Sequence, residues 1–190
     1  MLATTVNDHL FWITSRAAGT LALLFSSVAV GVGLSMGAKW FKGRGPDLRA
    51  THEALSMATI VALVVHAVSL LGDRFLHPSL ADIAIPFASS YKTVWMATGI
   101  VGGWMMIILG LSFYARGRIG QQRWRKLHRF TALAWVLGLA HSLGQGTDAG
   151  KLWFLVAAGI VVLPAAAMLA IRMSDPRPAP RAAAPEAVAR

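Results

Sequence analysis

"THEALSMATIVALVVHAVSL", residues 51–70, is an apolar run of membrane-spanning length with a histidine at each end of its apolar part. Ionisable side chains inside a bilayer are costly and commonly mark a pathway or a bound ligand. A single histidine there can be a packing residue that hydrogen-bonds a neighbouring helix. His52 and His66 on one span ask for more.

Around this segment the chain of 190 residues is 56% hydrophobic and 14% charged, with a mean hydropathy of +0.58. That balance belongs to polytopic membrane proteins rather than to soluble domains of this size. Apolar stretches divided by short polar loops read as spans over residues 10–36, 51–72, 92–115, 127–145 and 151–173. Each reaches or approaches the ~20 residues that cross a bilayer core. Backbone polar groups must be satisfied inside each segment, so the expected fold is an all-α bundle of five transmembrane helices over 1–173. The opening "MLATTVNDHLFW" has no basic leader and no small-residue cleavage site, and is not expected to be a removable signal peptide. The Pro/Ala-rich tail "SDPRPAPRAAAPEAVAR", 174–190, reads as disordered.

A net charge of +10 raises the question of nucleic acid, but the distribution answers it. Lys39, Lys42, Arg44 and Arg49 follow the first span. Arg116, Arg118, Arg123, Arg125, Lys126 and Arg129 follow the third, and Arg172, Arg177, Arg181 and Arg190 close the fifth. These regions hold 14 of the 18 basic residues, leaving Arg16, Arg74, Lys92 and Lys151 for the opposite side. Basic loops stay cytoplasmic, which places the N-terminus outside and the C-terminus inside. The loops are topology signals and contacts for lipid headgroups, and no nucleic acid is expected.

Other features fit a packed bundle. Gly99 with Gly103, and Gly33 with Gly37, make small-xxx-small pairs and read as packing devices. Pro164 is expected to kink the fifth span. The semi-apolar stretch "SLADIAIPFASSY", 79–91, reads as a short interfacial helix on the outer side.

The fourth span, "KLHRFTALAWVLGLAHSLGQG", carries the second histidine pair, His128 and His141. The second and fourth spans both run from inside to outside. A separation of 14 residues is about 21 Å along an α-helix and one of 13 about 19.5 Å, so the pairs match in depth. His52 shares an inner level with His128, and His66 an outer level with His141. Four imidazoles on two levels can clamp two flat groups, one above the other, and neutral imidazole is the natural axial ligand of haem iron. At about 100° per residue the second span keeps its histidines within about 40° of one face, whereas those of the fourth fall about 140° apart. Overwinding, a distortion near Gly138 or a non-helical start at His128 would each bring them together.

The pattern resembles the ferric reductase transmembrane family, which includes NADPH oxidases and the membrane haem subunit of the bacterial methionine-sulfoxide-reductase system. Members carry His-x13-His on one helix and His-x12-His on the next but one, matched here by His52/His66 and His128/His141. The resemblance covers residues 11–172 and extends to "TSRAAG", "IPFASSY", "WRKLHRF" and "HSLGQGTDAG". Many relatives have six spans, and the first of those six is expected to be missing here. The resemblance implies two haems with these histidines as axial ligands, in the bacterial cytoplasmic (inner) membrane. It also makes Arg16, at the entry of the first span, a candidate partner of an outer propionate, against the simpler reading of snorkelling. Arg49, Arg125, Lys126 and Arg129 flank the inner histidines and are candidates for the inner propionates. Trp135, seven residues beyond His128, lies between the two levels and is the aromatic candidate for the inter-haem gap. His9 and His77 have no partner at a shared depth and read as surface residues.

With no cysteine there is no disulfide, no iron–sulfur ligation and no covalent haem attachment, so the expected cofactors are two non-covalent b haems. No G-x-G-x-x-G follows a strand, and no flavin or nicotinamide domain is expected after residue 175. Electrons are then expected from a separate flavoprotein or ferredoxin, or from quinol, which would add a quinone site. Three classes follow. The first is the haem-bearing subunit of a transmembrane oxidoreductase, passing electrons to ferric iron, oxygen or a periplasmic protein. The second is a quinol-oxidising cytochrome b-type subunit or haem anchor of a larger complex. The third is a haem-free transporter with a histidine proton relay. The basic inner loops favour entry from an acidic donor on the inside, because the outer surface balances Asp8, Asp73, Asp82 and Asp148 against its four basic residues.

Overall fold

In the computed structural model, residues 2–38, 40, 43–73 and 76–174 are described, with side chains in the first helix from His9 onward. The tail at 175–190, Lys39, Lys42 and Arg74 lie outside them. The described residues form helices and connecting turns, without strands: α1 (Leu2–Ala38), α2 (Gly45–Leu70), α3 (Leu80–Ala84), α4 (Thr93–Leu111), α5 (Arg116–Ile119), α6 (Gln121–His128), α7 (Thr131–Gln145) and α8 (Leu152–Ser174).

Local chemistry sets the boundaries. A proline opens α2, with Asp47 in its first turn, where an N–H is not missed and a carboxylate meets the positive end of the helix. Ser79 and Asp82 form a reciprocal capping box around α3. That helix is a single turn, so the stretch 79–91 is mostly irregular rather than helical: Pro86 interrupts it and Phe87 sits at φ 66°. Gly120, at φ 89°, takes the backbone through the corner between α5 and α6. Helix α8 runs unbroken through Pro164.

Among the described residues, four helical segments are long and apolar enough to cross a membrane: His9–Ala38, Gly45–Leu70, Thr93–Leu111 and Leu152–Ser174. The expected span over 127–145 is instead divided. Helix α6 stops at His128, Arg129 and Phe130 form a turn, and α7 begins at Thr131. Short i to i+3 bonds, Phe130 N–H to Leu127 O and Ala132 N–H to Arg129 O, tighten the chain there. The Thr131 hydroxyl adds a bond to the His128 carbonyl at 2.7 Å. At 15 residues α7 is about 22 Å long, short of a ~30 Å hydrocarbon core.

Helix α1 packs along the length of α2 and also carries α7 and α8 on its other sides, while α4 lies against α7. Helices α2 and α7 do not pack closely on each other; α1 on one side and α4 on the other hold them apart. The buried centre is small: Leu23, Phe154 and Ala158 make one cluster, with Ala134, Trp135 and Ser27 buried beside it. Large apolar side chains such as Val61, Val94, Ile108, Ile160 and Leu163 are exposed on the outer surfaces of the bundle. An apolar surface of that extent needs a non-aqueous neighbour.

Candidate functional site

The gap between α2 and α7 is where the four histidines meet. His52 of α2 faces His128 at the end of α6, with ring centroids 6.0 Å apart and planes at 81°. His66 of α2 faces His141 of α7 at 6.3 Å and 75°. The break at Arg129–Phe130 explains how the second pair aligns. His128 and His141 sit on different helices, so the rotation of one continuous helix does not bind them. The structure differs from the expected non-helical start at His128: this residue is helical and ends α6, and the interruption falls directly after it.

Hydrogen bonds fix which nitrogen each ring offers. A carbonyl only accepts, so an Nδ1 at hydrogen-bond distance from one carries the proton. His52 Nδ1–H donates to the Ala29 carbonyl at 2.9 Å, His66 Nδ1–H to that of Ser15 at 2.8 Å, and His141 Nδ1–H to that of Trp95 at 2.8 Å. Nε2 is left as the lone-pair nitrogen in all three. The Ser15 hydroxyl donates to the His66 carbonyl at 3.0 Å, tying α1 to α2 beside this imidazole. His128 differs. Its Nδ1 is buried without a well-formed hydrogen bond, and the Leu109 carbonyl is the acceptor that interacts with it.

Glycines make the room. A Cβ on Gly33 would meet the His52 ring at 3.1 Å, one on Gly19 the His66 ring at 2.9 Å, and one on Gly99 would collide with the His141 ring. Gly33 and Gly99, expected as packing devices, are clearances for imidazoles. A Cβ on their supposed partners Gly37 and Gly103 would meet nothing within 4 Å, and the close approach of α4 to α7 is made by Gly102, where a Cβ would meet the Ala134 carbonyl at 3.0 Å. The sequence reading passed over Gly19 and Gly102, although "TSRAAG" places Gly19 one turn after Ser15.

Around His66 and His141 lies a cavity of about 580 Å³, bounded by Gly19, Gly103, Trp135 and Phe154 among others. Such a volume is in the range of small-molecule and cofactor sites. Trp135 lines it, 2% exposed, with its indole N–H donating to Ser27 Oγ at 2.9 Å. Arg16 also lines it, but its guanidinium makes a two-point ion pair with the buried carboxylate of Asp148 and lies 4.8 Å over the Trp12 ring. The pair joins α1 to the α7–α8 loop at one end of the cavity. At the other end of the bundle, Arg49, Arg125, Lys126 and Arg129 are exposed near the His52/His128 pair. His9 and His77 are exposed and line no part of the cavity. Trp124, which the sequence reading did not single out, stacks on the His128 ring at 4.9 Å.

Among the described residues no three metal-ligating side chains converge, so each level offers two nitrogens. No curated protein and no solved structure matches the chain. The family model described as "Ferric reductase like transmembrane component" matches residues 15–139. The match takes in His52, His66 and His128 and ends two residues before His141. With well over half of its length matched, and with its histidine pairs opposed across a bundle of apolar helices, this chain belongs to the ferric reductase-like transmembrane family.

Proposed function

We propose that this integral, multi-pass membrane protein is a di-haem b-type electron-transfer protein. Five crossings would run from an outer N-terminus to an inner C-terminus, with His52 and His128 holding the inner haem and His66 and His141 the outer. The observation that carries this reading is the opposed pairing of histidines whose Nδ1 protons are mostly committed to carbonyls. That commitment orients a metal-ligating imidazole and raises its basicity.

The donor set and its spacing support the fit. A metal bonded in line to two imidazole nitrogens at about 2.0–2.1 Å sets the ring centres about 6 Å apart, and the pairs stand at 6.0 and 6.3 Å. Two imidazoles per level would hold a haem, the macrocycle supplying the other ligands of its iron. Haem supplies one-electron chemistry when bound. The residues of this chain do the rest: the imidazoles hold and orient, the apolar helices exclude water, and Trp135 keeps an immobilised aromatic ring beside the outer site. In the proposed topology α7 is the fourth crossing, extended inward by the turn and by α6, whose Arg123, Arg125 and Lys126 would lie among lipid headgroups.

The electron donor would be a separate cytoplasmic flavoprotein or ferredoxin, or quinol. The acceptor would be ferric iron, oxygen or a periplasmic protein beyond the outer haem, with the bacterial cytoplasmic membrane as the setting. Purified from haem-sufficient cells, the protein should be red, with a six-coordinate low-spin spectrum and two non-covalent haems per chain. Colourless protein would overturn the reading. In liposomes, haem reduction by an inner-side flavoprotein that weakens when Arg125 and Lys126 are neutralised supports entry from that side. Reduction by quinol alone, insensitive to those substitutions, would move the donor assignment to quinol.

A further inference from the structure

Three of the four site histidines are held by a well-formed bond from Nδ1 to a carbonyl, whereas His128 Nδ1 meets the Leu109 carbonyl without one. The Leu109 carbonyl beside it already accepts from Ser112 Oγ at 2.6 Å. His128 also ends an eight-residue helix, and the chain turns at Arg129 immediately afterwards. A helix that short does not persist on its own backbone bonds, so packing must fix the ring.

The packing comes from Trp124, four residues earlier and therefore on the same helical face. Its indole lies on the imidazole with centroids 4.9 Å apart and planes at 25°. The indole is itself seated by residues at the end of α4. Its N–H donates to Ser112 Oγ at 3.2 Å, and Phe113 meets it edge-on at 5.9 Å. Ser112 caps the C-terminus of α4. The stack thus ties the short helix carrying His128 to the end of a long one.

We propose that Trp124 is the positioning residue of His128: the stacked indole sets the plane and tilt of this imidazole, as a carbonyl on Nδ1 does for the other three. The proposal rests on the di-haem reading. A stack orients a ring without accepting a proton from it. The site at His52/His128 should therefore respond to loss of an aromatic side chain, and the site at His66/His141 should not.

The test uses full-length protein in detergent and reads haem content, the low-spin ferric signals by electron paramagnetic resonance, and the potential of each haem by redox titration. Wild type with two haems and His128→Ala with one support the underlying reading; colourless wild type overturns both. Trp124→Leu is expected to broaden or split one low-spin signal and shift the potential of that haem alone. Trp124→Phe, which keeps a ring on the imidazole, should stay close to wild type. If Trp124→Leu does not accumulate, the double variant Ser112→Ala/Phe113→Leu unseats the indole without removing it and should give the same one-haem change. If both signals and both potentials match wild type in whichever of these variants accumulates, the proposal is overturned while the di-haem reading stands.

Discussion

The imidazole of His66 occupies the space in which a side chain on Gly19 would begin: a Cβ there would meet Nδ1 at 2.9 Å. The ring is not free to swing aside, because the same Nδ1 is bonded to the Ser15 carbonyl one turn earlier on α1. Gly19→Ala is therefore expected to push His66 off its seat, at about 1–3 kcal/mol for an overpacked interior site. Haem content should fall from two per chain toward one, with the low-spin signal of the His52/His128 site retained. Full occupancy with an unchanged spectrum would show that the α1–α2 interface yields elsewhere.

His66→Ala tests the pairing itself. Removal of one ligand of the His66/His141 level is expected to abolish or cripple one haem and leave the other spectrally intact. Retention of both haems at full occupancy would break the assignment of His66 and His141 to one level.

Arg16 and Asp148 are partners of unequal burial. The Asp148 side chain is 5% exposed and that of Arg16 36%. Arg16→Ala strands a buried carboxylate, whereas Asp148→Asn leaves a cation that reaches water. Breaking the pair from the arginine side should cost between the ~0.2–1 kcal/mol of an exposed pair and the ~3–5 kcal/mol of a buried one. Thermal unfolding is expected to show Arg16→Ala as the less stable variant. The potential of the outer haem should shift with Arg16→Ala and the inner one should not. If neither potential nor acceptor reactivity moves, Arg16 serves only to anchor the α7–α8 loop.

The absence of cysteine makes topology directly measurable. Single substitutions Ser90→Cys and Gly117→Cys place thiols at exposed positions on opposite sides of α4. In intact cells an impermeant maleimide should label Ser90→Cys and spare Gly117→Cys until the cells are opened. The reverse pattern would invert the proposed orientation and move the donor side with it.

Hydropathy along the chain was enough to mark the long helices, because a bilayer-length apolar run has few other stable forms, and α1, α2, α4 and α8 lie where the runs are. Depth was legible as well. The rise per residue is a property of a single helix, so 14 residues on α2 and 13 across α6–α7 were sufficient to pair His52 with His128 and His66 with His141, as their rings are paired. Direction around the axis was not. Whether His128 and His141 turn to one side depends on the interruption at Arg129–Phe130, and a run of apolar residues on either side of a turn reads as one span. Only the tertiary structure decided that Gly33 and Gly99 clear space for imidazoles, that Gly102 makes the helix contact, that Arg16 is held by Asp148 and that Trp124 lies on His128. The first three kinds of contact join residues on different helices or on a helix and a loop, where periodicity along one element carries no information and packing sets the outcome; Trp124 and His128 share α6, but the indole is seated by Ser112 and Phe113 at the end of α4.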